Sequence, residues 1–186
     1  MTNKNNCSEK KEDYSRPTAI LYLSRTGYTR RYAEILGDKI GLPIFSYGEG
    51  INAIPIGSRI IYMGWIHAGS IKGYREAAKR YSISAVCGVG LCDTGQLIPE
   101  VRKATSISAE IPLFTLQGGF DRSRLKGLDK LLISMLTKGL SSQKNLTERD
   151  GRMLELLRRD GDYVREENLS QFLSWYISSF NNYQIL

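Results

Sequence analysis

Cysteine is scarce in this sequence. Cys7, Cys87 and Cys92 are odd in number and show neither CxxC nor metal-ligand spacing, which argues against a disulfide framework or a zinc site. So sparse a set suits a reducing compartment. Cys87 and Cys92 fall in an apolar run, where a thiol reads as a small core residue. Long apolar runs are missing as well. No stretch approaches the roughly 20 residues that a membrane-spanning helix needs. The polar, mixed-charge stretch Met1–Arg16 lacks the apolar centre of a secretory leader, so a mobile tail and a cytoplasmic protein are expected. Histidine occurs once, at His67. The sequence offers no Ser-His-Asp order, no metal cluster and no paired-carboxylate signature. It also lacks the Gly-Lys-Ser/Thr of a triphosphate loop and a GxGxxG after its first apolar run. Hydrolytic, metal-dependent and dinucleotide chemistries therefore have no signal here.

What is present is an ordinary globular composition, 41% hydrophobic and 24% charged over 186 residues. That is enough chain for one domain with a full core, expected over residues 17–186. The formal net charge is +7. The basic residues are spread out, with no long Lys/Arg block, so no specific nucleic-acid binding is expected. A basic surface suits an anionic membrane, an acidic protein partner or a polycarboxylate substrate, or serves solubility alone.

Short apolar runs alternate with helical patterns. Strands are expected over Thr18–Ser24, Leu42–Tyr47, Arg59–Gly64, Ile83–Leu91 and Ile111–Leu116. Helices are expected over Tyr28–Ile40 (Tyr32, Ala33, Leu36 and Ile40 on one face), Ser70–Tyr81 (Ile71, Tyr74, Ala78 and Tyr81), Gly95–Thr105 and Ser123–Lys138 (Leu125, Leu128, Leu132 and Met135). Gly48–Ser58, with its glycines and proline, reads as loop. Thr147-Glu148-Arg149-Asp150 has capping-box spacing before a further helix. Leu169, Phe172, Leu173, Tyr176, Ile177 and Phe180 mark a final amphipathic helix. Near-continuous apolar strands between helices imply a parallel sheet covered on both faces, a doubly wound α/β fold. Residues 139–186 either cover the sheet or close over a substrate.

The chemistry-bearing segment is Ser24-Arg25-Thr26-Gly27-Tyr28-Thr29, between the first strand and the first helix. A strand-to-helix junction presents unsatisfied N–H groups and the positive end of the helix dipole. A phosphate binds readily in such a place. Ser24, Thr26 and Thr29 supply hydroxyls, and Gly27 permits close backbone approach. A short hydroxyl-rich loop suits a terminal monophosphate better than a pyrophosphate. The alternative is an ordinary capped helix start.

This loop resembles the Ser/Thr-x-Thr-Gly-x-Thr phosphate loop of flavodoxins, and the likeness extends over residues 18–138. The resemblance implies a flavodoxin-like fold with five parallel strands in the order 2-1-3-4-5. It implies FMN at the carboxyl ends of the strands, with its phosphate on the first loop. The flavin ring is then expected between Ile66-His67-Ala68-Gly69-Ser70 and Gly88-Val89-Gly90-Leu91-Cys92-Asp93-Thr94-Gly95. The implied cofactor contacts are Ser24, Arg25, Thr26, Gly27, Tyr28, Thr29, Trp65, Ile66, His67, Ala68, Gly69, Gly90, Leu91, Cys92, Asp93 and Gly95. Trp65 either stacks on the flavin or packs beneath the loop. His67 either faces the ring or is a surface residue. Asp93-Thr94-Gly95 is expected to brace the second loop and cap the next helix.

Electron-carrier flavodoxins are strongly acidic, whereas this chain is basic, which disfavours a routine carrier. Gln117-Gly118-Gly119-Phe120-Asp121, followed by Leu125-Lys126-Gly127-Leu128-Asp129-Lys130, is similar to the branch that includes menaquinone-dependent protoporphyrinogen oxidase, with Gln117 where that branch has arginine. Gly118-Gly119 is either a tight turn or, with Phe120, a border of the flavin pocket. Arg122, Arg124 and Lys126 form either a solvated face or a site for propionates or lipid head groups. The expected function is an FMN oxidoreductase acting with a quinone, a porphyrinogen or a redox partner protein, in contact with an anionic membrane. The alternatives are a non-enzymatic electron carrier and a binding module that has lost the flavin.

Overall fold

The computed structural model describes residues 16–121, 123, 127–142, 145–158 and 160–180. Its frame is a parallel sheet of β1 (Ala19–Leu23), β2 (Ile44–Ser46), β3 (Arg59–His67), β5 (Ser82–Gly90) and β6 (Leu113–Gln117), in the order β2-β1-β3-β5-β6. Among the parallel strands this is the expected 2-1-3-4-5 order. The sheet has a sixth member, β4 (Ser70–Ile71), which pairs antiparallel with the end of β3. A separate antiparallel ribbon joins β7 (Gly119–Phe120) to β8 (Gly161–Asp162).

Side chains alternate across the sheet, as the two-residue strand period requires. Ile20, Ile61, Met63, Cys87 and Leu116 enter one core, beside Tyr32 and Leu36 of α1 (Tyr28–Ile40). Leu169 of a 3-10 turn (Glu166–Leu169) and Phe172, Tyr176 and Phe180 of α7 (Ser170–Phe180) complete that layer. Leu21, Ile60, Tyr62, Val86 and Leu113 enter the other core. There they meet α3 (Tyr74–Arg80), α4 (Ile98–Thr105) and Ile54, which ends α2 (Tyr47–Ala53). The fold is doubly wound α/β, with helices on both faces. Residues 160–180 cover the sheet.

Two helices stand outside these layers. α5 (Leu128–Ser141) and α6 (Glu148–Arg158) pack on each other between β7 and β8. Thr147 caps α6, its Oγ1 accepting the Asp150 N–H at 3.1 Å, as the capping-box spacing predicts.

Several expectations require correction. Gly48–Ser58 is not all loop, because α2 occupies Tyr47–Ala53. Ser46 and Glu49 form a full capping box there, and Gly50 is buried so closely against Leu21 that a Cβ would collide. The strand expected to stop at Gly64 runs on to His67, and Ser70–Ile71 is strand rather than helix. A glycine fits at position 64 because Ile71 Cγ2 and the Lys72 carbonyl lie 2.6 and 2.7 Å from where a Cβ would stand. In α3 the buried face runs through Tyr74 and Ala77, while Ala78 is exposed. α5 begins at Leu128, and its Met135 is exposed rather than in the core. Leu125, the cluster Arg122, Arg124 and Lys126, and residues 1–15 with Cys7 lie outside the described residues. Among the described residues no helix is long and apolar enough to cross a membrane.

Candidate functional site

From β1 the chain runs through α1 out to β2 on one side, then through α2 back past β1 to β3, from which it continues through α3 to β5 on the other side. The connections therefore diverge at the carboxyl ends of β1 and β3, leaving a crevice where ligands of such folds bind. A cavity of about 180 Å³ lies there. Its walls come from the first loop (Arg25, Thr26, Tyr28, Thr29), the end of β3 (Trp65, Ile66, His67) and the end of β5 (Val89, Gly90, Leu91). Gly118, Gly119, Phe120 and Ile133 complete it.

The first loop is built to turn sharply into a helix. Gly27 has φ +95°, a left-handed conformation that a side chain disfavours. Its N–H donates to Ser24 Oγ at 3.1 Å. Ser24 therefore braces the loop from behind, and neither Ser24 nor Gly27 lines the cavity. The first intrahelical bond runs from the Arg31 N–H to the Gly27 carbonyl. The N–H groups of Tyr28, Thr29 and Arg30 precede it and lack intrahelical acceptors. The Thr26 and Thr29 residues line the cavity beside them.

Trp65 and His67 project from the same side of β3, two residues apart, with ring centroids 5.3 Å apart. The Arg25 guanidinium lies 5.3 Å from the Trp65 ring centroid. Ile66 points the other way, and its Cδ1 lies 3.0 and 3.2 Å from where Cβ atoms on Gly88 and Gly90 would stand. Glycine at those positions lets β5 pass beneath Ile66.

On the far wall, a Cβ on Gly119 would stand 2.5 Å from carbons of the Tyr28 ring and 2.7 Å from the Gly161 carbonyl. Gly118-Gly119 is thus both a close-packed crossing and, with Phe120, a border of the cavity. Behind it, Tyr32 Oη donates to the Gln117 carbonyl at 2.5 Å and accepts from Asn168 Nδ2 at 2.6 Å. Arg31 pairs with Asp162, and Lys39 with Glu166 at 2.6 Å. These contacts fasten α1 to the returning chain. Partial burial pushes the Asp162 carboxyl up, but the Arg31 guanidinium and the Val164 N–H outweigh it and hold it below the usual range. Burial pushes the Tyr32 hydroxyl up.

Not every expected residue reaches the cavity. Ala68 and Gly69, with φ +49° and +77°, form the hairpin turn between β3 and β4. Cys92, Asp93 and Gly95 lie in the β5–α4 loop away from the lining. Asp93 does not cap α4, whose N-cap is Leu97. Its carbonyl instead accepts the Gln96 N–H at 3.2 Å, and Thr94 Oγ1 accepts the Gln117 N–H at 3.0 Å, bracing the loop against β6. Val89 and Ile133 are lining residues that sequence reasoning did not single out. The strand period puts Val89 on the α1 face. No local pattern shows that Ile133 reaches back over the sheet. Cys87, fully buried, has its thiol pushed up by burial and takes no part. Among the described residues no group of three or more His, Cys, Asp or Glu stands ready to hold a metal.

The arrangement offers N–H and hydroxyl donors at one end and apolar or aromatic walls beyond them. It fits a phosphorylated ligand with a flat apolar part: Thr26, Thr29 and the first turn of α1 at the phosphate, and Trp65, Ile66, Leu91 and Phe120 around the rest. Comparison of the chain with family models, with curated proteins and with solved structures finds no match.

Proposed function

We propose that the chain is an FMN-binding redox protein, an oxidoreductase of the kind represented by quinone-dependent protoporphyrinogen oxidase. One observation supports this above the others. One cavity gathers the hydroxyl loop and the ends of β3 and β5, which belong to the segments the flavodoxin resemblance assigns to the phosphate and the ring, and the Gly118–Phe120 crossing borders it.

The residues divide the work by chemistry. The first turn of α1 and the Thr26 and Thr29 hydroxyls suit the phosphate. Arg25, seated on Trp65, adds positive charge beside it. Trp65, Ile66, Leu91, Phe120 and Ile133 exclude water from the ring. FMN, when bound, supplies the electron transfer, and the protein supplies position and electrostatics. No side chain need act as acid or base. A quinone, a porphyrinogen or a redox partner protein is the electron partner. The basic charge, and α5 lending Ile133 to the cavity wall, favour an enzyme over a simple carrier. Among the described residues neither Cys87 nor Cys92 is in a disulfide, which fits a cytoplasmic setting.

The test is to titrate the purified chain with FMN and record the visible spectrum. A perturbed flavin spectrum, followed by oxidation of protoporphyrinogen with menaquinone, supports the reading. Flavin binding with electron exchange to a reductase but no small-molecule turnover supports a carrier. No uptake of FMN removes both.

A further inference from the structure

His67, the only histidine of the sequence, lines the cavity. Beyond the first loop the lining side chains are apolar, apart from the indole of Trp65 and the imidazole of His67. Among the described residues that line the cavity none is Asp or Glu.

The β3–β4 hairpin holds His67 in place. His67 pairs with Ser70 across the turn Ala68-Gly69, whose two residues both have positive φ, the conformation that suits the twist of paired strands. The base of the hairpin is pinned three times. The Lys72 N–H donates to the Trp65 carbonyl at 3.1 Å, and Tyr62 Oη donates to the Lys72 carbonyl at 2.6 Å. The Ile71 N–H donates to Thr105 Oγ1 at 3.0 Å, away from solvent. The His67 ring is half-buried and leans on Trp65, with the planes at 60°. Among the described residues its ring nitrogens have no hydrogen-bond partner. A donor that is fixed, half removed from water and unpartnered gains most from a ligand that accepts its N–H.

The imidazole carries at least one N–H in either protonation state. A flavin ring gains negative charge on reduction, and donors or charges beside it tune its electronics. A wall with an N–H donor and no carboxylate therefore favours the electron-rich form. We propose that His67 donates to the bound ring and holds the reduced form more tightly than the oxidised one, which raises the reduction potential. The inference rests on the FMN reading and adds a direction to it. A raised potential suits a protein that takes electrons from its substrate.

The test is the midpoint potential of FMN bound to the full chain, measured anaerobically against a reference dye, beside the affinity for oxidised FMN. The shift from free FMN gives the ratio of affinities for the two oxidation states. His67→Phe keeps a flat ring against Trp65 and removes the donor. It should lower that ratio on the order of tenfold, which is about 30 mV for a two-electron couple. Oxidised FMN should bind it nearly as well as the parent. His67→Gln, which keeps an N–H, should restore much of the potential and so separates loss of the donor from change of shape. Far-UV circular dichroism confirms that each variant is folded. An unchanged potential in His67→Phe overturns this proposal and leaves the FMN reading intact. So does an equal loss of affinity for both oxidation states, or a His67→Gln potential as low as that of His67→Phe. A parent that takes up no FMN removes the FMN reading and this proposal together.

Discussion

The Arg25 guanidinium sits 5.3 Å from the centroid of the Trp65 ring, joining the first loop to the end of β3 on the wall of one cavity. The contact resolves the two sequence readings of Trp65 in part. The indole packs against the loop and lines the cavity at once.

Removing that support should weaken FMN. A cation–π contact contributes about 0.5–2 kcal/mol, so Trp65→Ala should raise the FMN dissociation constant roughly two- to thirtyfold. Trp65→Phe, which keeps an aromatic face, should lose less. Flavin fluorescence titration measures both. Equal affinities in the parent and Trp65→Ala would remove Trp65 from the site.

Gly119 should tolerate no side chain. A Cβ there meets the Tyr28 ring at 2.5 Å and the Gly161 carbonyl at 2.7 Å. The ring has little freedom beside a paired ribbon, so Gly119→Ala should cost about 1–3 kcal/mol of stability through overpacking. Urea denaturation checks this. The same substitution at Gly48, where nothing lies within 4 Å, should have much less effect.

Acid should loosen the ribbon. The folded Asp162 carboxyl lies below its ordinary value. Its contribution is therefore fully present above the unfolded carboxylate value and is lost as pH falls through the folded one. Asp162 is about half exposed, so the effect is local rather than a large share of global stability. Hydrogen exchange at Tyr163 and Val164 should rise over that acid range. Asp162→Asn should exchange faster at neutral pH and lose the pH dependence. A parent protein with no acid dependence at these amides would contradict the pairing with Arg31.

Much of this was legible in the sequence because strong periodicity reports burial. Ile20 and Leu21 fall on opposite cores, as a continuous apolar strand between helices implies. Ser24 to Thr29 was legible as a loop because a glycine and three hydroxyl residues interrupt that pattern. α2 was not, since Gly48 and Gly50 read as loop until Gly50 is seen packed against Leu21. Gly64 likewise read as a strand end, whereas it is a gap filled by Ile71 from the hairpin. Met135 has the helical spacing of a core residue and yet is exposed. Periodicity shows that a helix has an apolar face, but tertiary placement decides whether the protein covers it. The β7–β8 ribbon, two residues on each side, is too short for any period to show.

The most direct test of the central claim is equilibrium binding of FMN to the parent chain and to the double variant T26V/T29V. Hydrogen bonds to a charged group contribute about 1.5–3 kcal/mol each, and valine keeps the shape of threonine while removing the hydroxyl. The account predicts that the parent binds FMN and that the folded double variant binds it on the order of 100-fold more weakly. A parent that does not bind FMN, or a double variant that binds it as tightly, would contradict the account.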